Sequence, residues 1–158
     1  FIANRILHAN LERLQERRSM TWVAMRRHAG SGELVLCGSH DDLFVHRAAT
    51  GKVELVPVDQ SPHGLGMLDQ FGPETYGEGR LHLGPGDLLL LATDGVTEAA
   101  RGGRYEDGMF GAARVVEFLE ANAGLPLDRL RDRLNEVLRD FTGDHFEDDV
   151  TFVLVRSL

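Results

Sequence analysis

Apolar positions fall into short blocks whose spacing changes along the chain. From Ile2 to Arg17, Leu7, Leu11 and Leu14 stand four and three apart, which predicts a helix with one apolar face. Thr21 to His28 reads as a strand, Ala29-Gly30-Ser31-Gly32 as a turn and Glu33 to Cys37 as the next strand, together a hairpin. A second hairpin is expected from Leu43–Arg47, a turn at Ala49-Thr50-Gly51-Lys52, and Val53–Val58. Gln60 to Gly79 is rich in Gly, Pro and polar residues and reads as loop. Gly84-Pro85-Gly86-Asp87 is a turn leading into Leu88–Thr93, a run expected to be a strand buried on both faces. Two helices follow. One covers about Ala112–Ala123, with Ala112, Val116 and Leu119 inward and Gly124 as its stop. The other covers about Leu127–Phe141, with a stripe of Leu127, Leu130, Leu134, Val137, Leu138 and Phe141. Val150–Val155 closes the chain as a strand. Hairpin-linked strands with helices towards the ends predict an α+β fold of antiparallel sheets covered by helices, because a parallel βαβ fold would alternate more regularly.

Composition narrows the function classes. The 158 residues fit one domain, and 42% hydrophobic with 27% charged residues is the balance of a globular protein with a real core. The longest apolar run, Leu88 to Ala92, is far too short for a membrane span. The single cysteine, Cys37, excludes an internal disulfide framework, fits a reducing, cytoplasmic setting, and reads as a core residue of an apolar strand. A net charge of −8 argues against nucleic acid as a partner, which needs a basic face. Arg13, Arg17, Arg18, Arg26 and Arg27 form the main basic group and read as solvated positions.

Two acidic spots carry candidate chemistry. Thr93-Asp94-Gly95-Val96-Thr97-Glu98 directly follows one of the most apolar strands, and Glu147-Asp148-Asp149-Val150-Thr151 directly precedes the other. If those strands lie side by side and antiparallel, their carboxylates meet at one sheet edge. Carboxylates held together repel unless a cation neutralises them, and oxygen ligands suit a hard ion such as Mg²⁺ or Mn²⁺. Gly95 would let the backbone bend beside the ion. Taken singly, each motif also reads as turn chemistry, Asp-Gly being a common turn and an aspartate before a strand a common loop cap. Asp41-Asp42 reads as a solvated loop, His40 as a structural histidine, and His145 as a candidate substrate contact near Asp148. His8, His28, His46, His63 and His82 lack metal-ligand spacing.

The ordered series resembles a family. Leu83-Gly84-Pro85-Gly86-Asp87-Leu88-Leu89-Leu90-Leu91 followed by Thr93-Asp94-Gly95-Val96-Thr97-Glu98 is similar to the late signature of PPM-type metal-dependent serine/threonine protein phosphatases. The similarity is to their bacterial SpoIIE/RsbU-like branch of sporulation and stress-response enzymes. Gly38-Ser39-His40, Ser61-Pro62-His63-Gly64-Leu65-Gly66, Met109-Phe110-Gly111 and Asp148-Asp149-Val150-Thr151 extend it over nearly the whole chain. The resemblance implies an αββα sandwich of two antiparallel sheets flanked by helices, with a binuclear Mn²⁺ or Mg²⁺ centre at one end. By it, Asp94 and Asp148 are catalytic metal ligands, joined in the site by Gly95 and by Asp149 as neighbour or alternative ligand. It further implies hydrolysis of phosphoserine or phosphothreonine by metal-activated water, a phosphorylated anti-sigma-factor antagonist as substrate, an upstream sensor domain and a homodimer. The family's first signature, a Gly-Asp pair that precedes a pair of helices, has no counterpart ahead of the helix with which this chain opens, so residues 1–158 are expected to be the C-terminal portion of a single phosphatase domain. The alternative expectation is a phosphatase-like sensing or binding module without hydrolysis.

Overall fold

The computed structural model describes residues 1–28, 30–61, 64–66 and 72–158. Element order is α1 (Ile2–Leu14), β1 (Trp22–Arg27), β2 (Glu33–Arg47), β3 (Lys52–Asp59), β4 (Gly79–His82), β5 (Leu88–Ala92), α2 (Asp94–Thr97), α3 (Gly111–Asn122), α4 (Leu127–Thr142) and β6 (Phe152–Arg156). The chain divides into two compact units, 1–40 with 57–83, and 41–56 with 84–158.

In the first unit, the front half of β2 pairs antiparallel with β1 on one side (Cys37 opposite Ala24) and with β4 on the other (Val35 opposite Arg80). Its buried apolar residues include Leu34, Val35, Leu36, Val58, Leu65 and Leu81. Helix α1 stops earlier than the leucine spacing suggests. Gln15 turns left-handed (φ 56°) and caps the helix, and Leu14 is 63% exposed, so the apolar face rests on Leu7 and Leu11. Buried Asn4 accepts a hydrogen bond from the Gly66 N–H at 2.7 Å. Gly66 has a φ of 90°, and a side chain there would run into Leu11 and Leu7. Cys37 is half-buried rather than in the core, and that burial pushes its thiol pKa up, the opposite of what a nucleophile needs.

The second unit holds the larger core. Phe44 of β2, Leu88, Leu90 and Ala92 of β5, Val115, Phe118 and Leu119 of α3, and Leu130, Leu134 and Leu138 of α4 pack together. The rear half of β2 pairs antiparallel with β5 (Val45 opposite Leu89), and β5 with β6 (Leu90 opposite Leu154). Strand β5 is buried on both faces as expected, because Leu89 is as enclosed as Leu88 and Leu90. Helix α3 presents Val115, Phe118 and Leu119 inward and leaves Ala112 exposed, so its stripe is rotated from the one expected. Asp128 in the first turn of α4 suits the positive end of the helix, and Gly143 (φ 63°) closes it in the left-handed conformation that glycine adopts without strain.

Some expectations change. The two strands expected at 33–37 and 43–47 are one continuous strand. Gly38 lies within the ladder opposite Val23, where a Cβ would collide with the Trp22 carbonyl, so this glycine allows close backbone approach instead of marking a turn. Asp41 and Asp42 are therefore exposed strand positions and not a loop. Strand β4 and helix α2 were not anticipated. Pro62 and His63 of the Ser61–Gly66 motif, and Ala29 of the first turn, lie outside the described residues. All five arginines of the basic group are exposed, as expected.

The turn before β5 is locked by a buried carboxylate. Asp87 accepts hydrogen bonds from the Ala48 N–H (2.9 Å), the Gly84 N–H (3.0 Å) and the Arg47 guanidinium (2.9 Å). Burial raises its pKa, but these donors outweigh it and hold the carboxyl below the usual carboxylate range. A carboxyl that ionises more readily folded than unfolded stabilises the fold above its unfolded pKa, about 3.9. That stability is lost as pH falls through the lower folded value. Asp87→Asn is expected to cost about 1–3 kcal/mol at pH 7 by chemical denaturation, and the gap to wild type should narrow at pH 3.

Candidate functional site

The β5–β6 ladder sets the site. Ala92 lies opposite Phe152, so the residues leaving β5 and those entering β6 emerge at the same sheet edge. Asp94 opens helix α2 immediately after β5, and Asp148 and Asp149 lie in the loop that feeds β6. Thr93 joins the two. Its N–H donates to the Thr151 carbonyl (2.9 Å), while its hydroxyl lies 3.2 Å from the Asp149 carbonyl and accepts from the Thr151 N–H at 3.2 Å. No task for Thr93 follows from the sequence motif alone; its position directly before Asp94 is the signal that marks it.

Gly95 is buried, and its backbone presses on this junction. A Cβ there would collide with the Asp149 carbonyl oxygen and lie 3.0 Å from the carbonyl carbon. Its value is close approach between two loops and not the bend expected from sequence. Asp94, Asp148 and Asp149 are all exposed. One oxygen of Asp94 accepts the Gly95 N–H at 2.9 Å, and one oxygen of Asp148 accepts the Asp149 N–H at 2.7 Å. These local bonds fix the carboxylates relative to their own backbones, and Oδ2 of each is outside them. Acidic groups on adjoining loops repel in the absence of a counter-charge, which is the condition that favours cation capture.

The donors match a hard divalent cation in kind, being carboxylate oxygens beside backbone carbonyls. In number they fall short of a full coordination set, since among the described residues no group of three or more His, Cys, Asp or Glu side chains is placed to hold one ion. His145 sits in the neighbouring loop with Nδ1 2.7 Å from the Gly143 carbonyl, and it packs against Gly103, where a Cβ would come within 2.8 Å of its own.

The family model for stage II sporulation protein E (SpoIIE) matches residues 2–157, nearly the entire chain. The chain belongs to the SpoIIE family. This is a family of PP2C-type protein phosphatase domains, in agreement with the resemblance carried by the Asp94 and Asp148 motifs. No curated protein matches the chain. Solved structures share its fold. The SiaA-PP2C domain of Pseudomonas aeruginosa is 22% identical with a TM-score of 0.76, covering 97% of this chain and 57% of that one. The RsbU and RsbW domains of a Mycobacterium tuberculosis protein are 23% identical with a TM-score of 0.71, covering 95% and 40%. The Mn-presoaked phosphatase domain of SpoIIE from Bacillus subtilis is 17% identical with a TM-score of 0.62, covering 96% and 65%. This SpoIIE-family chain thus spans about two fifths to two thirds of these structures' lengths. Its mix of helices and antiparallel strands is the PP2C architecture expected from sequence. Among the described residues no helix is long and apolar enough to cross a membrane.

Gly95→Ala is the sharpest test of the junction. The methyl must displace the Asp149 backbone, which should cost about 1–3 kcal/mol and lower the melting temperature by several degrees in a thermal scan. An unchanged melting temperature would mean that the two loops are not packed as described.

Proposed function

We propose that this chain is part of a metal-dependent phosphoprotein phosphatase acting on phosphoserine or phosphothreonine. The observation that carries the reading is the Thr93 junction, which holds Asp94 and the Asp148–Asp149 loop side by side at the edge of β5 and β6. Asp94 and Asp148 would hold a divalent cation, Mn²⁺ or Mg²⁺, with Asp149 and the Gly95 backbone as neighbours. Such an ion, when bound, activates water at neutral pH and offsets charge on the phosphoryl group. The protein's own part is to fix both carboxylates by their backbone hydrogen bonds and to keep the loops in register through Thr93. Half-buried Cys37, with its raised pKa, has no part as a nucleophile in this scheme.

The resemblance supports a phosphorylated anti-sigma-factor antagonist as substrate, an upstream sensor domain, a homodimer and a cytoplasmic location. The likeness to a structure that contains both RsbU and RsbW domains is in keeping with a regulatory partner. A second reading, a binding module without hydrolysis, is favoured by one observation: the described residues supply no three-ligand set.

The test uses the intact native protein and a phosphoserine peptide. Hydrolysis should depend on Mn²⁺, and Asp94→Asn and Asp148→Asn should each lower kcat/KM by about 10²-fold or more. Equal rates in wild type and Asp94→Asn would overturn the assignment. Absence of calorimetric Mn²⁺ binding alongside retained phosphoprotein binding would establish the second reading.

A further inference from the structure

Adjoining the acidic pair lies a cleft most of whose side chains have no part in the phosphatase reading. Gly95 and Asp148, the carboxylate-bearing Glu98 and Glu147, and the aromatic Tyr105 and Phe146 are among the residues that line it. Both aromatic residues are exposed, Tyr105 at 52% and Phe146 at 40%. They arrive on separate supports. Tyr105 rides on an excursion closed at its base by the Ala100–Met109 bridge and by the Arg101 N–H donating to the Gly108 carbonyl at 2.8 Å. Phe146 belongs to the loop between α4 and β6, where Gly103 of the same excursion packs against His145. The cavity itself holds only about 10 Å³, too little for a side chain to insert, so a side chain could only lie across its mouth.

The charges around it are uneven. Arg104 is taken up by Glu106 and Asp107, and Arg101 lies over the Phe141 ring, 4.5 Å from its centroid. Neither guanidinium is paired with Glu98 or Glu147, whose carboxylates have no protein cation among the described residues. Exposed aromatic residues lining the same cavity as carboxylates without a paired cation make an environment complementary to a cationic side chain, through cation–π attraction and charge pairing together. An acidic side chain at the same place would meet like charge and be rejected.

We infer that this cleft reads a lysine or arginine of the phosphoprotein substrate, close in sequence to the phosphorylated residue. The inference rests on the phosphatase reading for the position of the phosphate, because the cleft shares Gly95 and Asp148 with that site. The basic side chain would lie against Tyr105 and Phe146 within reach of Glu98 and Glu147, and its charge would also ease the approach of a dianionic phosphate to an acidic surface.

The experiment uses the intact native protein and phosphoserine peptides identical except for Arg, Leu or Glu at each of the three positions on either side of the phosphoserine. Binding is read by fluorescence anisotropy and turnover as kcat/KM with Mn²⁺. An arginine at one position should bind about tenfold tighter than leucine, with glutamate weakest. The arginine preference should fall towards unity in Tyr105→Ala and in the Glu98→Gln/Glu147→Gln double variant, and persist in Tyr105→Phe, which keeps the ring. Equal binding of the Arg and Leu peptides, or a preference that survives both the Ala and the double Gln variants, would overturn the inference. Hydrolysis of p-nitrophenyl phosphate, which has no peptide to read, reports separately on the phosphatase reading. If that ester is not hydrolysed, the anisotropy ratios still decide whether the cleft selects a basic side chain.

Discussion

The antiparallel pairing of β5 with β6 is the constraint from which the candidate site follows. Each strand by itself is a short apolar segment, stable only when buried. Their pairing brings the chain leaving one strand to the chain entering the other, and the acidic residues sit in those two connections. Thr93 then closes the junction, because one residue supplies a backbone donor and a hydroxyl that serves both strand ends. The apolar core beneath supports this pairing, with Leu88, Leu90 and Ala92 packed against Leu130, Leu134 and Leu138 of α4. The candidate site therefore lies at the rim of a ladder whose position is fixed by hydrophobic burial.

Two carboxylate environments in the same unit show how placement decides use. Asp87 is buried and satisfied by two backbone N–H groups and a guanidinium, so its charge is spent on holding a turn. Asp94 and Asp148 are exposed, and each has one backbone hydrogen bond from the following residue. A carboxylate surrounded by donors has little to offer an ion, whereas one held only at a single oxygen keeps lone pairs for it. That contrast sorts structural aspartates from candidate ligands without recourse to sequence position.

Glycine plays a similar double part. Gly143 and Gly66 occupy left-handed backbone, where a side chain would be strained. Gly38 and Gly95 do not; at both, the missing Cβ lets another backbone segment come close. The Asp-Gly dipeptide of the site thus looks like turn chemistry in the sequence but works as a packing contact in the fold.

The sequence by itself determined the class of the fold and the location of the acidic residues. Apolar runs at 88–93 and 150–155 pointed to strands, the first of them buried on both faces, and Asp94 and Asp148 at their ends were visible as a pair. Such features are local, since hydrophobic runs and turn residues act within a few positions of themselves. Tertiary structure alone decided that β2 runs unbroken through Gly38, that α3 turns Val115 and Phe118 inward instead of Ala112, and that Tyr105 and Phe146 share a cleft with Glu98 and Glu147. Strand continuity, helix rotation and side-chain convergence depend on partners far along the chain. Their free energy comes from burial and from pairing across the sheet, which no short window of sequence contains.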